Sequence, residues 1–118
     1  MEIRKAILSF SQSEKIKSGI IWVSNAIGML SGVPDFDRKS GEKVISLLVQ
    51  MISQEARLAE SVSGDPIWGE IDPHFEKTLL MINSGVSQEA ALHLSKALSI
   101  VTNIGQRSMT VLKEKGFL

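Results

Sequence analysis

Residues Ser87 to Leu118 read SQEAALHLSKALSIVTNIGQRSMTVLKEKGFL and hold the longest helical pattern in the chain. Apolar or small side chains recur there three or four positions apart, which is the spacing of one face of an α-helix. Ser87 suits the N-cap, and Gly116 suits the C-terminal stop. The pattern predicts a helix of roughly 28 residues, about 42 Å long, with one buried face. The members of that face are Ala91, Leu94, Leu98, Val101, Gly105, Ser108 and Leu112, and Ala90, Ala97, Ile104 and Val111 widen it.

The middle of this stretch also permits a second structure, in which the helix breaks between Ser99 and Asn103. The run from Ser99 to Gly105 contains β-branched residues and a glycine, the weakest helix formers of the stretch. Asn103 suits the N-cap of a new helix, with Gln106 as its capping-box partner. We nevertheless predict a continuous helix, because apolar residues at helical spacing mark packing far more often than function.

A break would make residues 72–118 resemble the helix-turn-helix class of DNA-binding domains, in pattern alone. That resemblance implies contacts to bases and phosphates, since arginine and glutamine pair bidentately with guanine and adenine. Gly105 departs from it, because such domains usually bury a branched residue at that place. After Gly85, four basic residues against two acidic ones also give only a small positive excess for binding phosphates. The contact residues that the resemblance implies are Thr102, Gln106, Arg107 and Thr110.

The composition is that of a globular protein. The chain has 118 residues, 43% of them hydrophobic and 22% charged, so it is long enough to bury a core and too apolar to be disordered. The 13 basic side chains balance the 13 acidic ones, so the net charge implies no partner. With no tyrosine, the core must consist mostly of aliphatic side chains and alanine, which favours packing of helix on helix. We predict an all-α, single-domain bundle of four or five helices over residues 1–118.

The chain contains no cysteine, which removes disulfides, thiolate metal sites and cysteine nucleophiles. This composition suits a reducing compartment, and we expect a cytoplasmic protein. Residues 18–34 carry no charge, but the run is short for a transmembrane helix and contains several serines and an asparagine. It also lacks the cleavage site of a signal peptide. We therefore expect no membrane association.

Turn and cap signals divide the first part of the chain. Residues 1–10 fit a short helix better than an edge strand, and Ser11 or Ser13 suits the cap of a second helix. Proline, glycine and aspartate are concentrated in residues 33–40 and 63–72, which predicts connectors there. Each connector should separate two helices of the bundle.

The same signals place two further helices. Ser40 suits the cap of a helix from Glu42 to Val62, whose first half is apolar nearly all round. Asp72, followed by a proline, predicts a helix that ends at Gly85. We predict that the helix from Glu42 and the helix from Ser87 are the two main packing partners of the bundle.

An ungapped offset of 34 residues aligns residues 53–58 with residues 87–92. Two copies are too few for a solenoid, which needs about three repeats to bury a continuous core. The sequence is equally consistent with a duplicated helical unit and with coincidence.

The two tryptophans are candidate partner contacts. The indole N–H of Trp22 needs a hydrogen-bond partner if it is buried, so Trp22 lies either in the core, our default, or at an oligomer contact. Trp68 stands in a polar connector. It either fills the end of the bundle, which we favour, or contacts a partner.

Candidate ligands for a metal ion or for acid–base chemistry are two histidines and nearby carboxylates. Glu89 and His93 share one helical face, and Asp72, His74 and Glu76 surround a helix start. Neither set has the Glu-x-x-His or His-Glu-x-x-His spacing of established helical metal sites. The chain also lacks a glycine-rich phosphate loop and a G-x-S-x-G motif. We predict no metal site, no cofactor and no catalytic residue, and hence no enzyme activity.

The function that the sequence favours is a non-catalytic helical interaction or regulatory module that self-associates as a dimer. Three apolar surfaces exceed what four helices can cover: the helix from Glu42, the run from Ser18 and the stretch after Ser87. We expect the contact on the helix that contains Trp22 or on the one after Ser87. The alternative is a DNA-binding regulator with a helix-turn-helix unit in residues 72–118, and the third hypothesis is a bundle that binds a small ligand.

Overall fold

The structure is a computed structural model that describes every residue from Met1 to Leu118. It consists of helices and turns and contains no strand, so the chain is an all-α bundle, as predicted. Short 3₁₀ turns follow the first two helices, at Leu30–Gly32 and Pro66–Ile71. The four helices are α1 (Ile3–Met29), α2 (Asp35–Ser63), α3 (Asp72–Asn83) and α4 (Ser87–Glu114).

The helices form a four-cornered bundle in which α1 and α3 each contact both α2 and α4. The short turns make α1 antiparallel to α2, and α3 antiparallel to α4. The most extensive contact joins α1 to α4, while α2 and α4 lie diagonally and meet near one end, where the Ser87 hydroxyl donates to the Glu42 carboxylate. The prediction that the helices from Glu42 and Ser87 are the main packing partners is therefore wrong. Both helices direct their buried faces toward α1 and α3 instead.

Small side chains bring α1 and α4 close together. Gly105 of α4 and Ser13 of α1 are both buried, and a Cβ atom on Gly105 would lie 2.7 Å from Ser13 Oγ and 3.3 Å from Ser13 Cβ. That separation leaves no room for a side chain at position 105. The remaining small buried residues of these two helices are Ala6, Ser9, Ser87, Ala90, Ala97 and Ser108.

Helix α4 runs without a break through Ser99 and Asn103, which confirms the predicted continuity. Val101 and Ile104 are fully buried there, so the packing of this turn outweighs its weak helix propensity. Gly116 follows the helix with φ of +82°, as its predicted role requires. The predicted cap at Ser87 is wrong by one position, because Val86 is the N-cap and the Ser87 side chain bonds to α2.

Two predicted boundaries in the first half of the chain are also wrong. Helix α1 continues through Ser11 and Ser13, and the Ser13 hydroxyl donates to the Phe10 carbonyl at 2.8 Å within the helix. The predicted connector over 33–40 is helical from Asp35 onward, so Ser40 lies inside α2 and caps nothing. Pro34 precedes the helix and two aspartates occupy its first turn, a sequence that starts a helix as well as a serine does.

The predicted connector over 63–72 contains a turn that is packed into the bundle. Gly64 ends α2 with φ of +68°, and the Asp65 carboxylate accepts a hydrogen bond from the Ile67 amide at 3.1 Å. Trp68 is only 1% exposed and belongs to the main hydrophobic core. It therefore fills the core, as we favoured, and the alternative that Trp68 is an exposed partner contact is wrong.

Helix α3 begins at Asp72, as predicted, but its N-cap is Ile71, so the predicted capping role of the Asp72 side chain is wrong by one position. The chain turns into α4 at Gly85, where φ is +79°. The two segments of the 34-residue similarity occupy different places. Residues 53–58 lie in the middle of α2, whereas residues 87–92 form the first turns of α4. The similarity therefore does not correspond to two equivalent helix starts.

The close approach of α1 and α4 predicts the effect of Gly105→Ala. Overpacking costs about 1 to 3 kcal/mol, which should exceed the gain of about 1 kcal/mol in helix propensity, so the free energy of unfolding in urea should fall by up to about 2 kcal/mol. Gly28→Ala is the control, because its new Cβ meets nothing within 4 Å and should leave stability unchanged or raised. Adding Ser13→Ala should recover part of the loss, and an equal loss in both backgrounds would contradict this packing account.

Candidate functional site

Helix α2 carries two apolar stripes on different sides. The first faces the bundle core and includes Ile45, Val49, Ala56 and Ala59, all of them buried. The second recurs at intervals of four and three residues along the same helix, and its apolar members are exposed to solvent. No other helix of the chain covers this second stripe. We call it the outer stripe, and its members are Val44, Leu48, Met51, Glu55, Leu58 and Val62.

A groove of about 350 Å³ runs beside the outer stripe, between α1 and α2. Gly19 allows the two helices to approach here, since a Cβ at that position would lie 3.2 Å from the Ile52 side chain. Lys15 of α1 and Glu55 of α2 form an ion pair at 2.7 Å on the wall of the groove. Its apolar walls are formed by Ile16, Trp22, Val23, Leu48, Met51 and Ile52.

Trp22 stands at the rim of this groove with 72% of its surface exposed. The default expectation that Trp22 is buried in the core is therefore wrong. Ile16, Ile20, Val23 and Ile27 form the buried face of α1, and this spacing directs Trp22 away from the core. The outer stripe, the groove and Trp22 together form one exposed apolar surface, which we call the α1–α2 face.

The residues proposed for DNA contact lie on the continuous helix α4. Gln106, Arg107 and Thr110 are exposed and Thr102 is half-buried. The Thr110 hydroxyl donates to the Gln106 carbonyl at 2.9 Å, and the Arg107 guanidinium lies 3.7 Å from the Asp65 carboxylate. Because α4 does not break, the helix-turn-helix unit over residues 72–118 does not form. The DNA-binding hypothesis required that break, so the structure does not support it.

His74 of α3 and His93 of α4 lie on helices that pack against one another. Burial lowers the pKa of His74 below the ordinary value of 6.5, and the positive charges of Lys77, Lys96 and His93 lower it further. His93 forms no ion pair with Glu89, although the two residues share one face of α4. No group of three or more histidine, cysteine, aspartate or glutamate side chains is placed to hold a metal ion.

A second groove, of about 390 Å³, lies at the end of the bundle beside the start of α4. Two of its three charged side chains, Arg38 and Glu42, have partners within the chain, and Glu89 has none. Arg38 donates to the Val33 carbonyl and lies 3.2 Å from Asp35, while Glu42 accepts the hydrogen bond from Ser87. This groove therefore offers a small ligand fewer free polar groups than its composition suggests.

Comparisons of the chain with protein-family models, with curated proteins and with solved structures find no match. No helix combines the length and the hydropathy that crossing a membrane requires. On the surface of the bundle, the α1–α2 face combines exposed apolar side chains of two helices with the groove between them. Sequence reasoning missed the outer stripe because it described the first half of α2 as apolar all round, although the alternating spacing from Val44 to Val62 is visible in the sequence.

The lowered pKa of His74 predicts how stability changes with pH. The unfolded chain binds the His74 proton more tightly than the folded one, so this contribution is present above pH 6.5 and is lost as the pH falls below that value. His74→Asn should therefore reduce the drop in unfolding free energy between about pH 8 and about pH 5, measured by urea titration.

Lys77→Met is the companion variant for this experiment. This variant removes the positive charge of Lys77, the second cause of the lowered pKa of His74. It should reduce the fall in unfolding free energy at low pH by less than His74→Asn does. A pH dependence that neither variant changes would contradict the assigned origin.

Proposed function

We propose that this chain is a non-catalytic helical interaction module that self-associates through the α1–α2 face. The observation that carries the proposal is the outer stripe, an apolar surface that continues along most of α2 and has no partner within the chain. Contiguous apolar patches larger than a few hundred Å² are rare on monomers and mark interaction surfaces. Trp22 adds an exposed aromatic side chain, the type that contributes most binding energy at protein interfaces.

The dimensions of the α1–α2 face match those of a dimer interface. Two adjacent helices about 42 Å long, each roughly 10 Å wide, present on the order of 800 Å² on one side. A stable protein–protein interface of standard size buries about 800 Å² on each partner. The side of the bundle that carries the α1–α2 face therefore has the dimensions of a standard interface.

The charges on this face also favour a second copy over a charged partner. Lys15 and Glu55 are the charged residues of the groove and outer stripe, and they neutralise one another at 2.7 Å. Two such faces can approach with no uncompensated repulsion between like charges. A nucleic acid, whose binding depends on neutralising phosphates, would gain nothing from this surface.

Helix α4, the other contact that the sequence suggested, is less suited to this role. Its stripe is covered by α1 and α3, with Leu94, Val101 and Ile104 fully buried. Leu92 is the exposed large apolar side chain of the helix. Of the two predicted contact helices, the one that contains Trp22 therefore has the available surface.

Met51→Glu tests the proposal. The wild-type chain should sediment at micromolar concentration with about twice its mass of 12.9 kDa. Met51→Glu should weaken association at least about tenfold, because it buries a carboxylate without a partner in the interface.

Leu92→Glu provides the matched control, since Leu92 is 60% exposed and Met51 is 59% exposed, on different sides of the bundle. This variant should associate like the wild type. Wild-type protein that stays at 12.9 kDa as its concentration is raised would overturn the proposal.

A further inference from the structure

We infer that α2 pairs with α2 of a second copy in an antiparallel arrangement, about a two-fold axis that passes between Met51 and Glu55, at the level of Ser53. This inference rests on the proposed self-association and specifies its geometry. The observation that supports it is that the outer stripe has nearly the same order of side chains from either end. From Val44 it runs valine, leucine, methionine, and from Val62 it runs valine, leucine, glutamate.

The spacing of the outer stripe has the same symmetry as its chemistry. Its intervals are four, three, four, three and four residues, so the pattern is unchanged when the helix is reversed about Ser53. Antiparallel pairing then places Val44 opposite Val62 of the second copy and Leu48 opposite Leu58 of the second copy. The branched side chains at both ends of the contact therefore meet side chains of the same size.

The central position decides between antiparallel and parallel pairing. A parallel two-fold arrangement would place Glu55 opposite Glu55 of the second copy, and two like charges at the centre of an interface are destabilising. Antiparallel pairing instead places each Glu55 opposite Met51 of the other copy. Each carboxylate also keeps its ion pair with Lys15 of its own chain. Glu55, the single charged residue of the outer stripe, thus favours the antiparallel orientation.

The groove between α1 and α2 explains how the second helix is held. Intervals of four and three average 3.5 residues, the repeat at which side chains of one helix fit between those of its neighbour. The outer stripe of the second copy would lie along the groove, and by symmetry the first copy would fill the groove of the second. Trp22, at the rim beside Leu48 and Met51, would then cover Leu58 of the second copy.

Disulfide trapping tests this geometry, because the chain has no cysteine and each introduced one is unique. Leu48→Cys and Leu58→Cys are made separately, one labelled with nitrogen-15, and are oxidised alone and after mixing. Antiparallel pairing predicts a mixed disulfide between the two variants, at least about tenfold above the disulfide that either forms alone, since the cysteine Cα atoms must come within about 7 Å. Parallel pairing predicts the reverse.

Gln54→Cys leaves the outer stripe unchanged. It therefore tests the geometry even if the leucine variants no longer form a dimer. Gln54 flanks the stripe one residue from the axis, so this variant should form a disulfide with itself. The control Gln50→Cys is exposed on the same side of α2 but three residues from the axis, so the two copies of it lie about 9 Å apart along the helix and should not form one. Disulfides of each leucine variant with itself, or an absence of trapping at all three positions in a protein that sediments as a dimer, would overturn the antiparallel pairing alone. A wild-type protein that remains monomeric in sedimentation would overturn the proposed function and this inference together.

Discussion

The contact between Ser13 and Gly105 is the constraint on which the rest of the bundle depends. Because position 105 has no side chain, α1 and α4 approach closely along their small buried residues. Close approach maximises the dispersion contacts of two long helices and fixes one side of α1 against α4. The remaining core side of α1 then contacts α2, so α1 lies between the two helices that the sequence suggested would pack together.

This arrangement leaves α2 with more apolar surface than it can bury. Its neighbours are α1, the 12-residue helix α3 and the 3₁₀ turn that contains Trp68. These elements cover the inner stripe of α2, from Ile45 to Ala59, and leave its outer stripe in solvent. An α-helix with apolar residues on two sides normally has neighbours on both. We propose that a second copy of the chain packs against the outer stripe of α2.

Local signals predicted the features of the fold that depend on a few adjacent residues. The start of α3 follows from the proline in its first turn, the ends at Gly85 and Gly116 from the positive φ that glycine allows, and the continuity of α4 from helical spacing. The start of α2 was misplaced because residues 35–40 contain both helix-start and turn residues, and the helix extends through them. Cap signals are weaker than the packing of an amphipathic face.

The surface of the bundle was harder to predict than its helices. Periodicity identifies which face of a helix is buried, but it does not identify the helix that covers it, so the diagonal placement of α2 and α4 could not be read from the sequence. Trp22 was misplaced because aromatic residues are usually buried, although the spacing from Ile16 to Ile27 excludes it from the core face. The outer stripe could have been found by testing α2 for two interleaved patterns.

The most direct measurement of the central claim is quenching of tryptophan fluorescence by iodide across a range of protein concentrations. Trp68 is 1% exposed and should be protected at every concentration, whereas Trp22 is 72% exposed in the single chain and reports whether the α1–α2 face is covered. If a second copy covers that face, the quenched fraction should fall as the protein concentration rises through the association range. A quenched fraction that stays constant while the chain associates would show that Trp22 remains in solvent, and it would contradict the account.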